Sequence, residues 1–189
     1  MTKQRLEAFS DGVLAIIITI MVLEIQPPIH PSFAALFAKW HLIVSYILSF
    51  IYVGIYWNNH TYLVSAAKSI SARYLWCNLL LLFWLSLLPV STAWIGRAFY
   101  SVAPAVTYGV VLTGSSLAYQ LLQRETIKQN GVHSKLAKSI GKNIKGNGSL
   151  LLYIIGTIIA FFVPVMSYLF YVAVAIWYFI PDKRIEKIF

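Results

Sequence analysis

The chain alternates long apolar stretches with short polar connections, and this alternation limits its possible folds more than any other feature. Of its 189 residues, 59% are hydrophobic and 11% are charged, and the mean hydropathy is +0.73. Soluble domains carry about 25% charged residues. An apolar stretch of about 20 residues can cross the hydrocarbon core of a bilayer as a helix. We therefore predict an all-α polytopic membrane protein, one domain over residues 1–189, with six transmembrane helices at about 5–25, 40–63, 73–95, 103–123, 149–163 and 165–180.

The basic residues are distributed unevenly between the predicted connections. Six crossings place Lys39 and Arg97 on one side of the membrane and the remaining basic residues on the other side, together with both termini. Because Lys and Arg are enriched in cytoplasmic loops, we predict cytoplasmic termini and location in the cell inner (plasma) membrane. The polar stretch 124–149 is interpreted as a loop that sets this topology, although its lysines could also bind anionic lipid. The net charge of +9 therefore indicates membrane lipid, and no nucleic acid, as a partner.

The first apolar segment has a helical pattern of its own. At about 100° per residue, one narrow stripe contains Arg5, Gly12, Ile16, Thr19 and Leu23, with Ile20 at its edge. Ser10 and Asp11 lie away from the stripe. Ionisable groups on a membrane helix cost about 2.5–3.5 kcal/mol each near the bilayer centre, so they are usually paired or functional. We expect one face to line something and another to hydrogen-bond a neighbouring helix, although ordinary packing also explains an apolar stripe.

The start of this segment resembles the signature of a known family. It reads Arg5-x-x-x-Phe9-Ser10-Asp11, followed by Gly-Val and an isoleucine-rich run with one threonine. This pattern is similar to the first-helix signature of the transmembrane protein 175 family of potassium channels. The resemblance implies a single six-helix repeat, a homotetramer, and a central pore lined by the first helix of each chain. It also implies passive conduction of potassium, with the ion as permeant and no cofactor.

The resemblance assigns roles to the stripe. Ile16 matches the main isoleucine constriction of the family, and Thr19 matches a threonine tied to selectivity. Ile20 departs from members that have leucine or methionine there, but it stays apolar. Together with Leu23, these side chains would form apolar rings that impose a dehydration cost, which potassium meets more easily than sodium. Since the sequence has no Thr-Val-Gly-Tyr-Gly filter, we expect selection at these rings, with potassium passing near Thr19 and no resident metal.

A second set of residues is expected to hold the lining helices in place. Its members are Arg5, Phe9, Ser10, Asp11, Trp57, His60 and Asn78. The resemblance places Trp57 and His60 in contact with the motif, and their spacing of three puts them on one helix face. The alternative is an interfacial anchor at headgroup depth. Asn78 is either a hydrogen-bond partner for Ser10 or Asp11, or an amide that bonds its own helix.

Other functions fit the sequence less well. A proton-coupled secondary transporter could use Asp11 and His60 as a relay, but transporters often carry inverted repeats and broken helices, which are not clear here. Glu24, at the far end of the first helix, is either an interfacial carboxylate or a group that attracts ions. Cys77 is the lone cysteine, so one chain has neither a disulfide nor a cysteine metal site. We find no catalytic motif and do not expect an enzyme.

Overall fold

A computed structural model of the chain describes residues 2–131, 134, 136–137 and 143–179. Within these residues, all regular secondary structure is helical, as predicted. The helices are α1 (Lys3–Leu23), α2 (Phe33–Phe37), α3 (Trp40–Ala66), α4 (Ala72–Ser86), α5 (Leu88–Arg97), α6 (Val102–Asn130), α7 (Ile144–Ala160) and α8 (Pro164–Phe179).

The lengths of the helices agree with an all-α membrane protein of six crossings. Four stretches are long and apolar enough to span a bilayer: α1, α3, α4 together with α5, and α6. The apolar helices α7 and α8 are shorter, with 17 and 16 residues. At 1.5 Å per residue, α7 is about 25 Å long, close to the ~30 Å of the hydrocarbon core. The short helix α2 lies in the connection between α1 and α3.

The third predicted crossing is divided into two helices near Pro89. Helix α4 ends at Ser86, and α5 begins at Leu88 with Pro89 in its first turn. Proline is tolerated at this position because the first amides of a helix have no intrahelical acceptor. The residue between the two helices, Leu87, keeps helical backbone angles, so the chain continues across the membrane.

Two helices extend into the stretch 124–149, for which the sequence predicts a loop. Helix α6 continues to Asn130, and α7 begins at Ile144. The last turns of α6 stay ordered because they pack: Thr126 is fully buried, and the Asn130 amide donates to the Ala66 carbonyl at 2.7 Å. Residues 132–133, 135 and 138–142 of this stretch, and the charged tail from residue 180, lie outside the described residues.

Helix α6 packs against α4, α5, α7 and α8. Two of its glycines permit close approach. A Cβ atom at Gly114 would lie 2.3 Å from the ring of Trp84 on α4, and one at Gly109 would lie 2.1 Å from the hydroxyl of Tyr171 on α8. Small residues at helix contacts are typical of membrane bundles, where close packing replaces the hydrophobic effect. Helix α1 packs at the side of this bundle, against α3, α4 and α5.

Candidate functional site

Helix α1 has one buried face and one exposed face. Its buried residues are Leu6, Ser10, Leu14, Ile17 and Met21, which recur at spacings of three and four along the helix. The stripe identified in the sequence lies on the other side and is exposed throughout: Arg5, Gly12, Ile16, Thr19, Ile20 and Leu23. Ile16 is 59% exposed and Leu23 is 71% exposed. The stripe is therefore not used for packing within this chain.

Thr19 presents an oxygen on this exposed face. Its hydroxyl donates to the carbonyl of Ala15, one turn earlier, at 2.8 Å. Since the hydroxyl proton is used within the helix, the oxygen lone pairs are available as acceptors. Gly12, two turns before Thr19, has open space around it: a Cβ atom there would meet nothing within 4 Å. The face therefore combines apolar side chains, one acceptor oxygen and a position without a side chain.

Ser10, on the opposite face, joins a hydrogen-bonded chain across three helices. Asn78 on α4 donates from Nδ2 to the Ser10 hydroxyl oxygen at 3.0 Å. The Asn78 carbonyl oxygen lies 2.7 Å from Nε2 of His60 on α3. All three side chains are buried, with exposed fractions of 0%, 0% and 1% for Ser10, Asn78 and His60. The structure thus places Asn78 against Ser10 rather than against its own helix.

The donor and the acceptor in each of these hydrogen bonds follow from the bond that Ser10 makes to its own helix. The Ser10 hydroxyl donates its proton to the Leu6 carbonyl at 2.9 Å, so its oxygen must accept from the Asn78 amide. That fixes the Asn78 oxygen toward His60, and Nε2 of His60 must then be the donor. His60 lies in the bundle interior, which does not fit an interfacial anchor at headgroup depth.

Asp11 is held by a different partner. The indole Nε1 of Trp57 donates to Oδ1 of Asp11 at 2.9 Å. Trp57 therefore contacts α1 directly, whereas His60, three residues later on α3, is connected to Ser10 only through Asn78. Trp57 remains 49% exposed, so this bond lies at the edge of the bundle. In the described part of the chain, Asp11 bonds to Trp57 and His60 bonds to Asn78, and no hydrogen bond joins Asp11 to His60 directly.

The remaining motif residues point outward. Phe9 is 50% exposed, and Arg5 lies on the same exposed face. Within the described part of the chain, Arg5 makes no ion pair. Ser10 and Asp11 hydrogen-bond to other helices of the same chain. Arg5 and Phe9 are instead exposed on the outer surface of the bundle.

Both ends of α1 make contacts that are not predicted from the sequence. At the first turn, Lys3 Nζ donates to the carbonyls of Ser65 and Ala67, at the C-terminal end of α3. After the last turn, Glu24 forms an ion pair with Arg97, at the end of α5, with 2.5 Å between Oε2 and Nη2. A lysine near the final carbonyls of a helix also interacts favourably with the helix dipole. The sequence shows these charges but not which helix ends meet.

A further polar group lies behind α1 in the bundle. The Thr92 hydroxyl on α5 donates to the Ser49 hydroxyl on α3 at 2.7 Å, and Ser49 in turn lies 2.9 Å from the hydroxyl of Tyr108 on α6. The sulfur of Met21 lies 3.9 Å from the Thr92 oxygen. These side chains are all buried, and they connect α1 with three other helices. Hydroxyl residues within apolar segments are the only sequence signal for such a group.

Comparisons with known proteins point to one family. Residues 5–89 match the family model described as endosomal/lysosomal potassium channel TMEM175. This range includes all of the motif and stripe residues and their partners on α3 and α4. A potassium channel of Chryseobacterium sp. is 50% identical over 187 residues, which cover 99% of this chain and 97% of the relative. A potassium channel of Streptomyces collinus is 34% identical over 126 residues, which cover 62% of this chain and 61% of that protein.

The fold has a counterpart among solved structures. The crystal structure of a lysosomal potassium-selective channel TMEM175 homolog from Chamaesiphon minutus superposes with a TM-score of 0.85. The superposition covers 96% of this chain and 98% of that one, at 23% sequence identity. Helix order and helix packing are therefore shared along almost the whole chain.

Proposed function

Because this chain belongs to the TMEM175 family of potassium channels, we propose that it forms a passive pore lined by α1 and that the exposed stripe selects the ion. The protein is a multi-pass membrane potassium channel. The role of the individual stripe residues is the part that we propose. Rings of Ile16, Ile20 and Leu23 would form the narrow section, with the Thr19 oxygens between them.

The observation that supports this role most directly is the composition of the exposed face of α1. A face turned to lipid would be uniformly apolar, because ionisable and polar groups in hydrocarbon are costly. This face instead carries Arg5 in the first turn, Gly12 near the middle and the Thr19 hydroxyl near the end of the helix. Small and polar groups among apolar ones suit a surface that meets other protein and water.

Potassium selection would follow from dehydration at the apolar rings. A ring of isoleucine side chains offers a passing ion no ligand, so the ion must lose part of its water shell. Potassium holds that shell less tightly than sodium, so the free energy of potassium rises less on entering the narrow section. The Thr19 oxygens, which can only accept because their protons are bonded to Ala15 carbonyls, would then stabilise the partly dehydrated cation.

One chain supplies one lining helix, so the pore requires several copies around an axis. We propose a homotetramer on the basis of the family resemblance. The exposed α1 faces of four copies would meet at the axis, and Arg5 and Phe9 would contact the neighbouring copies. Location in the cell inner membrane with cytoplasmic termini is supported by the position of the basic residues, of which Lys39 and Arg97 alone fall on the predicted outer side.

Ion flux from liposomes tests this function. Purified protein is reconstituted with a potassium gradient and then with a sodium gradient of equal size, and release is compared with protein-free liposomes. We expect fast potassium efflux and slow sodium efflux, together with large unitary currents in planar bilayers. Potassium flux that saturates and depends on a proton gradient would identify a transporter instead and would overturn the proposal.

A further inference from the structure

The C-terminal end of α1 is held by an ion pair. Glu24 follows the last residue of the helix, Leu23, and its carboxylate lies 2.5 Å from the guanidinium of Arg97. The two side chains are 37% and 67% exposed, so the pair lies at the surface of the bundle end. Leu23 belongs to the exposed stripe, which means that this contact fixes the helix directly beside its last proposed pore residue.

A second cation contacts the connection that follows α1. Lys39, between α2 and α3, donates from Nζ to the carbonyl of Gln26 at 2.9 Å. Lys39 and Arg97 are the two basic residues that the topology places on the outer side of the membrane. Basic residues are uncommon on that side, and both of these bind within three residues of the end of α1. The C-terminal end of a helix carries partial negative charge, and the Glu24 carboxylate adds to it.

We propose that Arg97 and Lys39 are positioning residues that clasp the outer end of α1, with Glu24 as the counter-charge of the clasp and not an ion-attracting group at the pore mouth. This inference rests on the proposed pore role of α1. By holding the turn that contains Leu23, the clasp sets how far the outermost apolar ring lies from the axis. Breaking the clasp changes the opening of that ring and leaves the inner rings in place.

Single-channel recording in planar bilayers separates the two roles of Glu24. If it belongs to a clasp, Glu24→Gln and Arg97→Gln break the same contact. Both variants should then shift open probability in the same direction by about two- to fivefold, the effect expected for a partly exposed ion pair. The double variant should shift it no further than either single change. If Glu24 attracts cations instead, Glu24→Gln lowers unitary conductance and Arg97→Gln raises it.

A charge exchange provides a stricter test. The variant Glu24→Arg with Arg97→Glu keeps an ion pair at the same two positions and moves the carboxylate off α1. We expect it to restore the open probability of the unchanged channel, whereas an ion-attracting carboxylate would not be replaced. Arg124→Gln, an exposed arginine on α6, is the matched control and should behave as the unchanged channel.

The possible results separate the clasp from the pore. Opposite effects of the two neutralising variants, or unchanged gating in both, with normal potassium currents in the unchanged channel, overturn the clasp alone. Absence of potassium current from the unchanged, folded protein overturns the proposed function and the clasp with it. Lys39→Gln adds an independent check and should shift open probability in the same direction as Arg97→Gln.

Discussion

The side-chain amide of Asn78 donates to the hydroxyl oxygen of Ser10 at 3.0 Å, and both residues are fully buried. This bond fixes the rotation of α1 about its own axis. Successive residues of a helix are separated by about 100°, so Ser10 and Gly12 point in nearly opposite directions. Holding Ser10 against α4 therefore turns the face of Gly12 and Ile16 away from the bundle.

Replacement of Asn78 should destabilise the protein. In Asn78→Ala, the Ser10 oxygen loses its donor and Nε2 of His60 loses its acceptor, both inside the bundle. Leaving buried polar groups without partners costs about 1–3 kcal/mol. We expect a lower midpoint of thermal unfolding in detergent and a lower yield of assembled channel.

Asn59→Ala is the matched control for that variant. The Asn59 amide donates to the carbonyl of Ile55 on its own helix, at 2.7 Å. Removing this amide therefore breaks no hydrogen bond between helices. We expect a change in unfolding free energy well below that of Asn78→Ala. Equal destabilisation by the two substitutions would show that the interhelical bond has no special importance.

The contact between Asp11 and Trp57 should affect assembly more than ion selection. Asp11 lies off the stripe and is bonded to the indole nitrogen, so it does not need to meet the ion. We expect Asp11→Ala to reduce expression or assembly, with a largely retained potassium-to-sodium ratio in the channels that form. Trp57→Phe, which keeps an aromatic ring but removes the donor, should give a similar but smaller loss. A well-assembled, non-selective Asp11→Ala channel would contradict this assignment.

Much of the fold can be read from the sequence because membrane-spanning helices are strongly constrained. Local signals mark the apolar stretches, the division of the third crossing near Pro89 and the close packing at Gly109 and Gly114. The two faces of α1 can be read in the same way, since helical periodicity separates Ser10 from the stripe. Hydropathy does not find the polar helix ends: α6 continues to Asn130 because its last turns pack against the chain near Ala66.

Contacts between distant residues are harder to predict than the faces that make them. The sequence suggests Asn78 as a partner for either Ser10 or Asp11, and only the packing of α1 against α3 and α4 decides between them. The ion pair of Glu24 with Arg97 and the bonds of Lys3 to the end of α3 have no local signal at all. They depend on which helix ends lie side by side, and that is a property of the assembled bundle.

The glycines of α3 and α6 allow a direct test of helix packing. A Cβ atom at Gly114 would lie 2.3 Å from the Trp84 ring, whereas one at Gly54 would meet nothing within 4 Å. We expect Gly114→Ala to lower the free energy of unfolding by about 1–3 kcal/mol, the usual effect of overpacking. Gly54→Ala should be neutral, or stabilising by up to about 1 kcal/mol, because glycine is a poor helix former. Thermal unfolding in detergent measures both, and equal stability of the two variants would contradict the packing of α4 on α6.

Ile16 is the stripe residue whose replacement should change conduction most. In Ile16→Asn, an amide replaces an apolar side chain that is 59% exposed. The amide can hydrogen-bond the water shell of a passing ion. Since one such bond contributes about 0.5–1.5 kcal/mol, we expect conductance to rise about two- to tenfold and the potassium-to-sodium permeability ratio to fall. Ile47→Asn on α3, where isoleucine is 50% exposed, is the matched control and should leave both quantities unchanged. Unchanged currents and selectivity in Ile16→Asn would exclude Ile16 from the constriction.

Thr19 separates the effect of an oxygen ligand from the effect of pore width. Thr19→Val keeps the shape of the side chain and removes the oxygen that is exposed on α1, while Thr19→Ser keeps the oxygen and removes a methyl group. Because the Thr19 hydroxyl is bonded to the Ala15 carbonyl, neither change should disturb neighbouring helices, and expression should stay normal. We expect Thr19→Val to reduce the potassium-to-sodium permeability ratio, measured from reversal potentials under bi-ionic conditions, and Thr19→Ser to retain most of it. The opposite order would mean that the width of the pore at this position, and not its oxygens, determines selection.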